Sequence, residues 1–279
     1  MAVAALALLG AAAWGTGDFL GGVTSRRIHV LTVLVLSQAI GLVGAVVWLL
    51  VSRDGVPAAG DLLPAAGAGA CGAIGLAALY RGMAVGAMGI VAPISAASPI
   101  VPLAVDAGRG VSPSAAQWAG IVAVLGGIVL LARERGGVGR TPLAAGVALA
   151  LVAALAFGLF IVGLDAAADG SVPWTIVTAR GTSTALALAL ALGASVSIRP
   201  PARLVPAIAA VGVFDTTANV LVAFATTKGS AGIVAVLSAL YPVVTIVLAR
   251  VVLRERLDRS RRFGGVLALG GAAVVAAGG

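Results

Sequence analysis

Between Arg27 and Arg53, and again between Arg140 and Asp165, the chain carries no charged side chain, and Leu, Val, Ala, Ile and Gly dominate both stretches. Runs of about 20 apolar residues are what a helix needs to cross a hydrocarbon core about 30 Å thick. In that solvent only helices and closed barrels satisfy their backbone polar groups, and continuous apolar runs select helices over an alternating barrel pattern. Breaks at charges and at Pro/Gly clusters place spans near 3–23, 30–51, 62–82, 87–107, 115–132, 143–164, 173–196, 204–226, 230–252 and 263–278. The expected fold class is therefore all-α, a polytopic membrane protein with ten transmembrane helices. The connectors, among them Ser25-Arg26-Arg27, Arg53-Asp54-Gly55, Arg133-Glu134-Arg135, Arg199-Pro200-Pro201 and the run from Arg254 to Arg262, are too short to hold a soluble domain. The apolar start, Met1 to Leu9, lacks a charged leader and reads as the beginning of a span, not as a removed signal peptide.

Composition agrees. A soluble domain carries about 25% charged residues, whereas this chain of 279 residues carries 10%, with 61% hydrophobic. Thirty-nine glycines and few aromatics suit helices that pack closely in lipid, and no Gly-X-Y period makes the chain collagen-like. The single cysteine, Cys71, can form no internal disulfide, and the single histidine, His29, gives no His/Cys cluster, so neither metal nor cofactor is expected. A formal net charge of +8 would point a soluble chain toward nucleic acid. Here the charge has another address. The first, third, fifth, seventh and ninth loops hold Arg26, Arg27, Arg81, Arg133, Arg135, Arg140, Arg199, Arg203, Arg254, Arg256, Arg259, Arg261 and Arg262, against Arg53, Arg109 and Lys228 in the others. That bias puts the odd loops in the cytoplasm and both termini outside, and it removes the case for a nucleic-acid partner.

Sliding the chain by 143 residues exposes an internal repeat. Gly86 to Pro99 falls on Gly229 to Pro242 with identity at eight of fourteen positions, and Ala2 to Gly15 falls on Ala145 to Gly158, again at eight of fourteen. Gly86, Gly89, Ser95 and Pro99 recur as Gly229, Gly232, Ser238 and Pro242. After that point the offset becomes 144, and Gly120, Gly126 and Gly127 meet Gly264, Gly270 and Gly271. The expected organisation is two five-helix repeats, residues 1–135 and 143–279. An odd number of helices per repeat makes the second enter the membrane from the opposite side, so the repeats are inverted, an arrangement suited to alternating access around a midplane site.

The Trp14-Gly15 step, the Gly-Ile-Val-Ala-x-x-Ser-Ala-x-x-Pro core in both halves, and Leu253-Arg-Glu-Arg-Leu257 before the last helix resemble the EamA-type transporters of the drug/metabolite transporter superfamily. The resemblance covers essentially the whole chain, although the first copy of the acidic signature reads Gly108-Arg109-Gly110-Val111. It implies ten transmembrane helices as two EamA repeats and the movement of small metabolites, amino acids or drugs, often as export.

A charged side chain at membrane depth costs on the order of 2.5–3.5 kcal/mol on insertion scales, which makes each one a candidate for function. Asp18 shares a helical stripe with Gly10, Trp14 and Gly21, and either faces a cavity, where it could bind a cationic group or carry a coupling proton, or reaches interfacial water beside Arg26. Asp215 lies midway along the eighth span with Gly212 and Asn219 on its face. Arg180 could neutralise Asp215 or Asp18, as a structural ion pair or as a receptor for an anionic substrate. Asp106, three residues before Arg109, is expected in an interfacial salt bridge. Ser95, Ser98 and Pro99 occupy the places of Ser238, Tyr241 and Pro242, where proline frees a carbonyl and bends the helix while hydroxyls line a polar surface. Trp14, Tyr80, Phe157 and Phe160 could wall a cavity; Trp48, Trp118 and Trp174 read as interface anchors.

No nucleophile, base and acid can be brought together from these positions, and no GxxxxGK[ST] cradle for a nucleotide occurs, so neither an enzyme nor an ATP-driven pump is expected. The expectation is a multi-pass protein of the cell membrane: a secondary transporter that exports a small molecule by alternating access, with protons as a candidate coupling ion. The alternative is a non-transporting bundle that binds a lipid or protein partner. The oligomeric state and the substrate are not written in the sequence.

Overall fold

The computed structural model describes residues 1–25, 27–85, 94–95, 97–132, 143–252 and 259–277. Eleven α-helices and one short 3-10 turn, Ala202–Leu204, account for the described residues, which contain no strand. The helices are α1 (Ala2–Ser25), α2 (Val30–Ser52), α3 (Ala59–Val85), α4 (Ile100–Gly108), α5 (Ala115–Ala132), α6 (Leu143–Ala168), α7 (Val172–Gly193), α8 (Val205–Thr226), α9 (Ala231–Ser238), α10 (Tyr241–Val252) and α11 (Arg259–Ala277). Six of them contain apolar stretches long enough to cross a membrane, between 21 and 25 residues, and shorter apolar helical stretches cover Ala115–Leu130, Ala231–Thr245 and Arg262–Ala277. The chain is a polytopic, all-helical membrane protein.

Helix ends lie close to the expected breaks because local chemistry stops the helices there. His29 caps α2, its Nδ1 accepting from the Leu31 amide at 3.2 Å. Ser171 and Ser230 cap α7 and α9 through their hydroxyls, and Pro173 and Pro206 sit in first turns where a missing N–H costs nothing. Two expectations are corrected. The span over 230–252 is not one helix: it breaks at Ala239-Leu240 into α9 and α10, with Pro242 as the second residue of α10. A turn over residues 97–99 likewise precedes α4, whose N-cap is Pro99. Both prolines therefore start a helix and do not bend one. The remainder of the expected fourth span, including the motif residues Gly86 to Pro93, lies outside the described residues, as do Arg26, residues 133–142 and Leu253 to Leu257.

The extensive helix pairings all join an element before residue 133 to one after residue 142. Helix α1 packs on α8, α3 on α6, α2 on α7 and α5 on α11, with further contacts of α2 with α8, α3 with α7, and α1 with α10. Small residues permit this. A Cβ on Gly15 would lie 2.5 Å from the Tyr241 carbonyl oxygen and 2.6 Å from Val244 Cβ, and one on Gly158 would lie 2.7 Å from the Ser98 oxygen and 2.5 Å from Val101 Cβ. Gly120 and Gly271 abut each other's backbone, and Gly127 abuts that of Gly264 and Ala268. The outer surface carries Val43, Val47, Leu50, Val122, Leu151, Leu155, Val266 and Leu269, all exposed, which is a lipid-facing belt and would be an aggregation surface in water. Of the expected interface tryptophans, Trp48 instead packs into the core against Phe224, ring centres 6.1 Å apart, while Trp118 is exposed.

Gly15→Ala is expected to destabilise the protein by about 1–3 kcal/mol, the usual cost of overpacking. Gly44→Ala, at a helical glycine with nothing within 4 Å of the added carbon, leaves stability unchanged. Thermal unfolding of the two variants in detergent, read as apparent Tm against the parent, checks the pair.

Candidate functional site

The helices enclose a central cavity of about 170 Å³, roughly tenfold the space that a single water requires. Its position follows from the close pairings. The Ala179 carbonyl on α7 occupies the place where Gly69 of α3 would carry a Cβ, and the Ser37 carbonyl on α2 does the same to Gly212 of α8. Those contacts draw α2, α3, α7 and α8 together and aim their polar side chains at one space. Of the expected site residues, Trp14, Asp18, Ser98, Phe157, Arg180, Asp215, Asn219, Ser238 and Tyr241 all line it. Ser95 is buried and is not among the lining residues. The side chain of Tyr80 lies outside the described residues.

One wall is aromatic. Trp14 and Phe160 stand 6.3 Å apart at 53°, within the range of favourable tilted ring pairs. The indole Nε1–H of Trp14 donates to Asn219 Oδ1 at 2.9 Å. That bond satisfies the one polar atom of the ring and fixes α1 to α8 beside the cavity.

The opposite wall is charged. Nη1 of Arg180 donates to Asp215 Oδ2 and to Gln38 Oε1, each at 2.5 Å. Gln38 Nε2 donates to the same Asp215 oxygen at 3.3 Å, and Ser183 Oγ donates to Gln38 Oε1 at 3.0 Å. This network ties α2, α7 and α8 through one guanidinium. The Arg180 side chain is 3% exposed and that of Asp215 29%. The arginine is thus sealed beneath the wall while its carboxylate partner reaches the cavity. Arg180 Nε and Nη2, and the Ser238 hydroxyl, are buried without a hydrogen-bond partner among the described residues.

Asp18 lines the same cavity, is exposed to it, and makes no hydrogen bond or ion pair with another described residue. It is close enough to Asp215 and Tyr241 to interact electrostatically with both. Asp106 behaves otherwise than expected. It is buried, and its Oδ2 accepts the Gly232 amide at 2.6 Å at the start of α9, while Arg109 pairs with Asp165 at 2.9 Å. The free amides of a helix start attract a carboxylate more closely than an exposed arginine does. Among the described residues no group of three or more His, Cys, Asp or Glu side chains could hold a metal.

Gln38, Ser37, Ser183 and Phe160 also line the cavity, and Gln38 is central to the charged network. A search restricted to charged residues passes it by. Its signal is that it is the one amide in the uncharged run from residue 28 to 52.

No curated protein sequence matches this chain. A solved structure described only as "Crystal structure of protein" superposes on it with a TM-score of 0.83 at 19% identity, over 98% of this chain and 95% of that one, which speaks to a shared fold. The model of the EamA-like transporter family matches the chain twice, at residues 1–133 and 144–277. The central cavity within a lipid-facing helical bundle therefore belongs to a membrane transporter with a small-molecule substrate, and the chain is a member of the EamA-like transporter family, in the drug/metabolite transporter superfamily.

Proposed function

We propose that the chain is a secondary transporter of the cell membrane that exports a small polar or amphipathic metabolite, amino acid or drug-like compound by alternating access. Its ten spans form two inverted five-helix repeats, residues 1–135 and 143–279. The observation that carries this reading is the one-sided reach of the cavity. Its lining reaches Ser25 at the end of α1 and Val33 in the first turn of α2, beside the loop that holds Arg27, and Thr32 Oγ1 of α2 donates to the Ser197 carbonyl in the loop that holds Arg199 and Arg203. The arginine bias makes those loops cytoplasmic, so the site loads from inside the cell.

The opposite face is tied shut by contacts between the halves: Arg109 with Asp165, Asp106 with the Gly232 amide, and Ser171 Oγ donating to Asp54 Oδ2 at 2.7 Å. A separate cleft of about 210 Å³ lies on that face, lined by Val3, Ser112, Gln117, Gly229 and Ile233. Helix α9 stands between it and the central cavity, contributing Ser238 to one and Leu237 to the other.

The inverted repeat is supported by equivalent contacts. Gly15 meets Tyr241 and Val244 as Gly158 meets Ser98 and Val101, each residue displaced by 143. At the 144 offset, the pair Gly120 and Gly271 exchanges with the pair Gly264 and Gly127. A scaffold with two equivalent arrangements can rock between them, and the substrate biases the equilibrium only through contacts that differ between the two states. The ion pair of Arg180 with Asp215 is such a contact, and Asp18 and Asp215 are the groups that would carry a coupling proton.

Substrate-dependent counterflow in proteoliposomes carrying the purified protein tests the reading; a bundle that only binds lipid or a protein partner gives none across a broad metabolite panel. Proton coupling requires that the counterflow depend on pH, with Arg180 and Tyr241 the other ionisable groups among the described residues that line the cavity with Asp18 and Asp215, and that Asp18→Asn or Asp215→Asn abolish the dependence. If both variants retain it in full, the coupling assignment fails. Arg180→Met leaves Asp215 without its cation and is expected to destabilise by about 3–5 kcal/mol, with much of the loss recovered in Arg180→Met/Asp215→Asn; thermal unfolding of the two single variants and the double variant measures the coupling.

A further inference from the structure

We propose that the central cavity selects a substrate with a cationic amine, held between the carboxylates of Asp18 and Asp215 with its apolar body against Trp14, Phe157 and Phe160. The inference rests on the transporter reading of the same cavity and adds the sign of the charge that it accepts.

Reach decides the sign. Among the described residues, three charged side chains line the cavity: Asp18, Arg180 and Asp215. The arginine is the only cation of the three and is the one that a ligand cannot touch. Its side chain is 3% exposed, its Nη1 is committed to Asp215 and Gln38, and its Nε and Nη2 are buried in the wall. An anionic group in the cavity would meet two carboxylates and find the guanidinium out of reach behind one of them. A cation meets Asp18, which has no hydrogen-bond or ion-pair partner among the described residues, and Asp215, of which Oδ2 alone is engaged.

The formal sum of the three charges is minus one when both carboxylates are ionised. A monovalent cation brings that sum to zero in a space where charges are weakly screened, whereas an anion raises it to minus two. The remaining features fit an ammonium. Trp14, Phe157, Phe160 and Tyr241 line the same cavity, and aromatic rings attract organic cations at their faces.

The two carboxylates also do not recur in the repeat. At the 143-residue offset Asp18 corresponds to Ile161 and Asp215 to Gly72, while the wall residues Trp14 and Phe157 correspond to each other. Packing that recurs in both halves needs neither acid. Their cost at membrane depth is borne at one place only, where they share a cavity.

Matched ligands on two skeletons test this with the full-length protein in detergent. The probes are phenethylamine, 3-phenylpropionate and 3-phenylpropanamide, and hexylamine, hexanoate and hexanamide, each titrated by quenching of protein tryptophan fluorescence. The expected result is that at least one amine binds about tenfold or more tighter than both its carboxylate and its amide, and that Asp18→Asn lowers its affinity about tenfold without weakening the carboxylate. Asp18→Asn is the decisive variant because Asp18 supports no other described side chain; Asp215→Asn strips Arg180 of its partner. Equal binding within both sets, a preference for a carboxylate, or no binding by either amine overturns the proposal. Counterflow of the same compounds in proteoliposomes separates the two claims. Amine binding without counterflow of any substrate sinks the transporter reading and leaves the cation site. Counterflow of carboxylates without amine binding does the reverse.

Discussion

In hydrocarbon the helices of this chain gain nothing by hiding apolar side chains from one another, since lipid tails are as apolar as leucine. What holds them is close approach of backbone to backbone, and that depends on glycine at the crossing points. A methyl group at Gly15, Gly69, Gly120, Gly127, Gly158, Gly212 or Gly271 would fall on a neighbouring helix. Dispersion contacts are individually small and add up only where surfaces meet. Because those glycines sit where helices of residues 1–132 cross helices of residues 143–277, each half finds its packing partners chiefly in the other.

Interlocking of this kind explains why the bundle can enclose polar groups. Every hydroxyl in lipid needs a partner, and many return to their own helix: Thr16 to the Ala12 carbonyl, Thr24 to that of Leu20, Thr182 to that of Thr178. Thr245 reaches both Tyr241 on its own helix and the Gly15 carbonyl on α1. The side chains that are not satisfied locally gather in the centre, where Arg180, together with Gln38, joins three helices. Its counterpart at the 143 offset is Ser37, and those of Gln38 and Asn219 are Gly181 and Leu76. The crossing glycines recur with the offset, and the polar centre does not.

That contrast also explains what was legible beforehand. Helix ends at Ser25, Ser52 and Thr226 are readable because charge or Pro/Gly interrupts the apolar run there, and local chemistry decides a terminus. Asp18, Arg180 and Asp215 were readable because a charge in an apolar run has few places to go. Their arrangement was not, because which of two carboxylates meets the arginine depends on the crossing of α2, α7 and α8, which no local pattern encodes. Gln38 was passed over since an uncharged amide carries little of the insertion cost that drew attention to the aspartates. Asp106 went to a helix start and not to Arg109 because Gly232, 126 residues away, delivers a bare amide beside it.

The burial of Arg180 has a further mechanical consequence. Nε and Nη2 of Arg180 are buried without a hydrogen-bond partner among the described residues, and buried donors left unpaired are costly. Any movement of α7 against α2 or α8 that gives those donors a partner recovers part of that cost. The same movement must alter the contacts of Nη1 with Asp215 and Gln38, and with them the exposure of the Asp215 carboxylate. The charge offered to the cavity and the packing of three helices are in this way coupled through one side chain. Such coupling is what a carrier requires if binding at its centre is to bias the position of its walls.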